Sequence, residues 1–413
     1  MKIRHLPSDS ATGSYDVARV RAQFPALTAG YAHFDSPGGS LTPEPVANAV
    51  AAAMTAPLAN RGTVTASERV ADGIVVAARA AMGDLLGVDP GGVVFGRSMT
   101  ALTFDLARTL ATRWAPGDEI VVSRLDHDAN IRPWVLAAHS AGASVRWAEF
   151  DPQTAELSED AVAAVLSPRT RLVAVTAASN LIGTRPPVRA IADLAHEVGA
   201  LVHVDGVHYT AHVAVHAETL GADFYACSPY KFLGPHCGVL AADPALLEML
   251  APQKLAPSSN AVPERFELGT LPYELLAGTT AAVDFLADIA GVGTSRRERI
   301  VTSMSAVEAH EDRLRARIEA ALADLPVTVY SRAAHRTPTL LVDFPGRGSA
   351  QAYAFLAERG VNAPASSFYA LEASRWLGLG DTGALRVGLA PYVDDNDVDR
   401  LLAGLTEYCE GPS

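Results

Sequence analysis

Between about residues 90 and 245, short apolar runs alternate with longer amphipathic ones, and this alternation restricts the chain to few folds. Residues 93–95, 119–123, 144–150, 171–176, 200–205 and 223–227 read as strands. Helix-like stretches at 101–112, 131–141, 158–166 and 187–198 lie between most of them. Apolar strands separated by helices predict a mostly parallel sheet covered on both faces. In such sheets ligands bind beyond the carboxyl ends of the strands, so the residues there are the first to inspect. After Thr270 the texture changes. An Ala- and Arg-rich helical region runs to about residue 323 with a break near Gly291, and shorter α+β units follow to a final helix from Asn396. The length of 413 residues exceeds the usual size of one domain. The expected division is an N-terminal segment, 1–30, packing with the small domain, a large domain over 31–285 and a small C-terminal domain over 286–413.

Charge and cysteine usage exclude several functions. A net charge of −13 argues against nucleic-acid or anionic-membrane binding, both of which need clustered basic surface. Cys227, Cys237 and Cys409 are too few and too oddly spaced for a disulfide framework or a zinc site. The N-terminus lacks the apolar region of a signal peptide and no run suggests a membrane span, so a soluble cytoplasmic protein is expected. His203, His212 and His216 surround the strand ending in Asp205, but their spacing gives no compact metal-ligand set.

Only three lysines occur, Lys2, Lys231 and Lys254, although Lys and Arg together number 33. Arginine stays protonated, whereas a desolvated lysine amine can lose its proton and attack a carbonyl. Lys231 follows the strand-like run 223–227 and precedes a Gly-Pro turn, and Asp205 ends an apolar strand shortly upstream. A strand-end carboxylate followed by a loop lysine is the layout that an imine-forming cofactor enzyme needs. Ser228 and Lys231 also match the S-x-x-K pattern of serine acyl-enzymes. The later elements of that pattern are missing, since the only later lysine, Lys254, is followed by Leu-Ala. Other strand-end segments carry polar residues that can converge. Arg97-Ser98-Met99-Thr100 opens a helix, whose free N–H groups and dipole favour a phosphate, although a simple N-cap is the commoner use of Ser or Thr there. His127 follows the run 119–123, where an imidazole could stack on a flat cofactor or shuttle a proton. Asn180 follows the run 171–176, where an amide could bond a ring substituent.

The ordered set Phe34-Asp-Ser-Pro-Gly-Gly, Asn60-Arg-Gly, Arg97-Ser-Met-Thr, Asp126-His-Asp-Ala-Asn, Ala178-Ser-Asn, Val204-Asp-Gly, Cys227-Ser-Pro-Tyr-Lys, Arg265-Phe-Glu-Leu-Gly-Thr and Leu385-Arg-Val-Gly is specific. In it the chain resembles the class V aminotransferase family of fold type I pyridoxal-phosphate enzymes, in particular its cysteine desulfurase-like branch, from about Phe34 to Leu405. The resemblance implies an α/β fold with a mostly parallel, seven-stranded type of sheet sandwiched by helices, and a smaller α+β C-terminal domain. It implies pyridoxal 5'-phosphate as cofactor. Lys231 would hold it and act as acid/base, Asp205 would pair with the pyridinium nitrogen, and His127 would stack on the ring. Asn180 and His208 would lie near the phenolic oxygen. Ser98, Met99, Thr100, Ser228 and Tyr230 would hold the phosphate, with Thr270 reaching in from the partner of a homodimer that shares its active sites. Arg386 would take the carboxylate of an amino-acid substrate, with Tyr369 and Asn60 contacting the rest of it.

The departures from the family bear on the reaction. Cysteine desulfurases carry on a small-domain loop a cysteine that takes the substrate sulfur as a persulfide. Here that segment, 360–372, has Tyr369 near the expected position and no cysteine. The usual glutamine two residues after Asp-Gly is His208, and the histidine before the lysine is Tyr230. The expected activity is that of a pyridoxal-phosphate lyase cleaving a Cβ–heteroatom bond. A transaminase or epimerase, and a cofactor-binding protein with little catalysis, are the alternatives.

Overall fold

The computed structural model describes residues 15–411, so the first part of the expected 1–30 segment, with the expected leader-free terminus, lies outside the described residues. A two-residue strand, β1 (Ala32–His33), comes first. Seven strands then follow: β2 (Val93–Gly96), β3 (Glu119–Ser123), β4 (Ser144–Ala148), β5 (Thr170–Thr176), β6 (Leu201–Asp205), β7 (Phe224–Cys227) and β8 (Gly238–Ala242). They form one sheet in the order β2-β8-β7-β6-β5-β3-β4. The β7–β6, β6–β5, β5–β3 and β3–β4 pairs are parallel, and β8 runs antiparallel to both of its neighbours.

The mostly parallel sheet expected from the alternation is present, with a seventh strand beyond the six read from it. The connection between β7 and β8 holds residues 228–237 and no crossover helix, so β8 can return only antiparallel. Alternate residues of each strand feed two separate apolar layers, as pleating requires. Val93, Phe95, Val121, Val173, Val202 and Val204 pack with helices Ala66–Leu86 and Val188–Glu197. Val94, Ile120, Val122, Leu172 and Ala174 pack with Met99–Ala111 and Arg132–Ala141.

The C-terminal part adds β9 (Thr328–Val329), β10 (Thr339–Asp343), β11 (Val361–Asn362), β12 (Ala365–Ser366) and β13 (Ala384–Gly388). A four-stranded antiparallel sheet has the order β12-β13-β10-β9, while β11 pairs in parallel with β1. Residues 15–30 lie against this part. Arg21 pairs with Asp394 at 3.0 Å and Asp397 at 2.5 Å, and the Phe24 and Tyr392 rings are 4.8 Å apart. Helix Tyr273–Asp288 runs across residue 285 as one piece and packs on helices Glu44–Thr55 and Ala66–Leu86.

One buried ion pair ties the loop before helix Tyr273–Asp288 to the sheet. Arg79 forks onto both oxygens of Glu267 at 2.9 Å, and Oε1 of Glu267 also accepts from the Phe95 amide at 2.9 Å. Among the described residues no helix is long and apolar enough to cross a membrane.

Candidate active site

All parallel strands end on one edge of the sheet, and a cavity of about 930 Å³ opens there. The chain winds outward from β3 to β4 and then returns to β5 on the other side of β3, so the crevice between β3 and β5 is where a ligand is expected. Register places Thr176 beside Asp205 and Asp205 beside Ala226, which brings the ends of β5, β6 and β7 level. Met99 and Thr100 after β2, His127 after β3 and Asn180 after β5 line the cavity. So do Asp205 and His208 at the end of β6, and Ser228, Tyr230 and Lys231 after β7. The C-terminal part closes it with Tyr369 and Arg386.

Two glycines allow this close assembly. A Cβ on Gly238 would stand 2.4 Å from the Met99 amide nitrogen, so β8 can pass under the helix start only as glycine. A Cβ on Gly206 would lie 2.0 Å from the Tyr225 ring, which lets the chain turn sharply after Asp205.

Burial, followed by the Arg386 cation, lowers the Lys231 amine to about 7. Its Nζ donates to the carbonyls of Pro37 and Gly38, at 2.9 Å to the latter. Asp205 is 5% exposed, and burial raises its carboxyl to about 6 even though Oδ1 accepts from the Val207 amide at 2.9 Å. His127 is lowered to about 4 by burial and then by the Lys231 and Arg386 cations, so it is neutral at pH 7. Its Nδ1 accepts from the Ala129 amide at 3.0 Å, which leaves the proton on Nε2. A buried network holds this loop. Asp126, pushed up to about 8 by burial, accepts from Ser123 and from Asn130 Nδ2 at 2.7 Å. Asn130 Oδ1 in turn accepts from Trp134 at 3.1 Å and lies 2.8 Å from His203 Nδ1. His203 therefore has a structural bond beneath Asp205.

Arg386 is 1% exposed and donates to Asp35 at 2.8 Å and to the Asn180 carbonyl at 3.1 Å. Its guanidinium lies 3.6 Å from the centre of the Phe368 ring, and its Nε has no partner. Phe368 and Tyr369 both have left-handed backbone, at φ 51 and 59. Three contacts hold them in it. Asn180 Nδ2 donates to the Phe368 carbonyl at 3.0 Å, the Asp128 amide donates to the Tyr369 carbonyl at 2.7 Å, and Arg124 pairs with Glu372 at 2.7 Å. The Tyr369 ring is 77% exposed and stacks on His127 at 5.6 Å.

Three expected residues do not line this cavity. Ser98 caps its helix, its Oγ accepting from the Ala101 amide at 3.1 Å. Asn60 and Thr270 are exposed and lie outside it. Sequence reasoning passed over Asp35, although its motif was noted, because nothing local reveals an ion pair with a residue 351 positions away. It also passed over the Asp128–Arg132 pair at the mouth and the aromatic wall of Phe104 and Phe368.

Comparison with known proteins agrees with this geometry. The family described as "Aminotransferase class-V" matches residues 32–401. The chain is 35% identical to the uncharacterized protein MT3887 of Mycobacterium tuberculosis, covering 95% of this chain and 99% of that one. It is 32% identical to the aminotransferase-like protein FGM3 of Gibberella zeae, covering 96% and 99%. Cysteine desulfurase CsdA of Escherichia coli is 30% identical over 96% of this chain and 98% of its own. The crystal structure of CsdA superposes with a TM-score of 0.85 at 28% identity, covering 96% of this chain and 99% of that one. With a half-buried amine of lowered basicity, a buried carboxyl and a helix start on one cavity, the chain belongs to the class V aminotransferase family of pyridoxal phosphate-dependent enzymes.

Proposed function

We propose that the protein is a pyridoxal-phosphate lyase that cleaves a Cβ–heteroatom bond of an amino acid, most simply carbon–sulfur, without a persulfide cysteine. Tyr369 carries this reading. Where the resembled desulfurases have a thiol, this chain has a phenol stacked on His127 at the cavity. Cys227 and Cys237 are buried, and among the described residues no cysteine lines the cavity. A phenol cannot carry sulfur as a persulfide, so the leaving group has to depart by itself.

The residues present fit the cofactor. When bound, it supplies a carbonyl for an amine and a ring that accepts electrons released at Cα. Lys231, half in the free-base form near pH 7, would hold it and then move the Cα proton. Asp205 would keep a proton on the ring nitrogen. The backbone amides at Met99 and Thr100, with the Ser228 hydroxyl, would hold the phosphate at the helix start. Arg386 would grip the substrate carboxylate with the donors that Asp35 and Asn180 leave over. The leaving group would depart with the electron pair of its bond to Cβ, past Ser366, Ser367 and Tyr369 at the mouth.

Purified protein loaded with the cofactor and given S-substituted cysteines should release thiol, pyruvate and ammonia in equal amounts with no keto acid added. Turnover that depends on a keto acid would make it an aminotransferase instead. Binding of cofactor with no turnover of any amino acid would leave only a binding protein.

We also propose a homodimer with shared active sites. Support comes from Thr270, which is exposed, lies outside its own cavity and is in a segment resembling one that completes a partner's phosphate site. Sedimentation velocity should give one species of twice the 43.3 kDa chain mass. A monomer with full activity would refute it.

A further inference from the structure

The hydrogens of a guanidinium lie in one plane, so a carboxylate meets Arg386 along an edge and not on a face. Phe368 takes a face, with its ring centre 3.6 Å from the guanidinium carbon, and competes for no donor. Along the edges, Nη1 donates to the Asn180 carbonyl at 3.1 Å and Nη2 to Asp35 Oδ1 at 2.8 Å, while Nε is buried without a partner. With these neighbours in place the Arg386 side chain is 1% exposed. The donors left over are closed to solvent, and an incoming carboxylate reaches them only when a neighbour gives way.

Asp35 is the neighbour that can leave. Asn180 meets Arg386 through its backbone, and its own Nδ2 is tied to the Phe368 carbonyl at 3.0 Å. Asp35 uses only a side chain, which lines the cavity and is 45% exposed. Its backbone is pinned on both sides. The Gly38 amide donates to the Asp35 carbonyl at 2.9 Å, and the Gly388 amide to the Phe34 carbonyl at 2.8 Å. Departure of the carboxylate is then a side-chain rotation, with no loop to rearrange. A Cβ on Gly38 would stand 2.6 Å from Asp35 Oδ1, so glycine there leaves the carboxylate its place against Arg386. A buried cation stripped of its counter-ion is strongly destabilised, and a second carboxylate avoids this by replacing the first. The exchange also adds a bond. Nη2 and Nε present parallel N–H groups on one edge, and Asp35 satisfies only Nη2.

We propose that Asp35 is an internal stand-in for the substrate carboxylate: it neutralises Arg386 in the empty site and is displaced when a ligand carboxylate takes Nη2 and Nε together. This rests on the reading of Arg386 as the substrate-carboxylate site. Asp35 thereby sets both affinity and selectivity. Every carboxylic ligand has to outcompete it, and a ligand that reaches only one donor gains nothing over it.

Propionate carries the carboxylate without an amine, so it is the probe, and the response to neutral propionamide is subtracted as control. Binding is read on the cofactor-loaded protein from the rise in melting temperature with ligand concentration. Asp35→Asn keeps the shape of the side chain and removes the competing charge. A given rise should therefore need about ten- to hundredfold less propionate than in wild type, the ratio that one charge-assisted hydrogen bond represents. An equal or weaker response in Asp35→Asn overturns the proposal, because a residue that merely held the fork in place would weaken binding when changed. If the wild-type response is lost in Arg386→Met but Asp35→Asn gains nothing, the carboxylate reading of Arg386 survives without the exchange. A response that Arg386→Met retains in full sinks that reading and the proposal with it. Should Asp35→Asn not fold, a crystal structure of the wild-type protein with propionate decides. Propionate on Nη2 and Nε with Asp35 turned away is expected, and Asp35 still on Nη2 overturns the exchange.

Discussion

Lys231→Ala is expected to abolish turnover and the visible absorbance of the loaded protein together. The loss in rate should be about four to six orders of magnitude, the scale on which removing a catalytic nucleophile acts. Among the described residues the other lysine is not placed to replace it: Lys254 binds the carbonyls of Leu255 and Ser258, outside the cavity. Arginine cannot stand in, because a guanidinium keeps its proton. The lowered basicity of Lys231 gives the prediction a pH dependence. Only the free base attacks a carbonyl, and the amine sits at about 7 in the cofactor-free protein. The rate of cofactor uptake should therefore rise about tenfold per pH unit below that value and level off above it. Stopped-flow absorbance over that range measures this directly. A visible band that survives in Lys231→Ala would mean that another amine holds the cofactor.

Arg386→Met should cut kcat/KM about 10²- to 10⁴-fold, since two charge-assisted hydrogen bonds to a carboxylate contribute about 1.5–3 kcal/mol each. Its effect on stability should be small by comparison. The guanidinium is a fully buried cation whose Nε has no partner, and burial lowers it to about 10. Removing one member of a buried ion pair is destabilising chiefly when the charge left behind stays buried. The partner left behind, Asp35, has a side chain 45% exposed and can take up water. A second readout separates loss of substrate grip from general damage. Arg386 is the cation that lowers Lys231, so its removal should move the midpoint for cofactor uptake above about 7. Unchanged kcat/KM would show that the carboxylate binds elsewhere, and an unmoved midpoint would remove Arg386 from the control of Lys231.

Much of the frame was legible because strands and helices have periods that a sequence displays directly. Six strands of the central sheet, the long helix pair after Thr270 and the final helix all follow from apolar spacing. β8 begins directly after Cys237, in an apolar strand-like run, but it was not set apart in the strand–helix alternation because it directly follows a turn-rich segment with no helix to mark it off. The site was legible where chemistry sits at a strand end, as with Asp205, His127 and Lys231, since the parallel topology carries every such end to one edge. Asn60 and Ser98 both lie in polar segments of the resembling motifs, and the local pattern does not tell that one is on the surface of its own chain and the other caps a helix.

The sequence by itself determined the sheet, the edge on which the chemistry sits, and the absence of a cysteine from residues 360–372, because these depend on local pattern and residue identity. Only the tertiary structure decided which groups share charge and protons. Asp35 with Arg386, Thr337 and Thr339 with His208, and Glu311 with His212 join residues 99 to 351 positions apart. Burial then sets the protonation of Lys231, Asp205 and His127 in directions that their identities alone do not give. The physical reason is that solvation and Coulomb interaction depend on distance in space, and a chain of letters records only distance along itself.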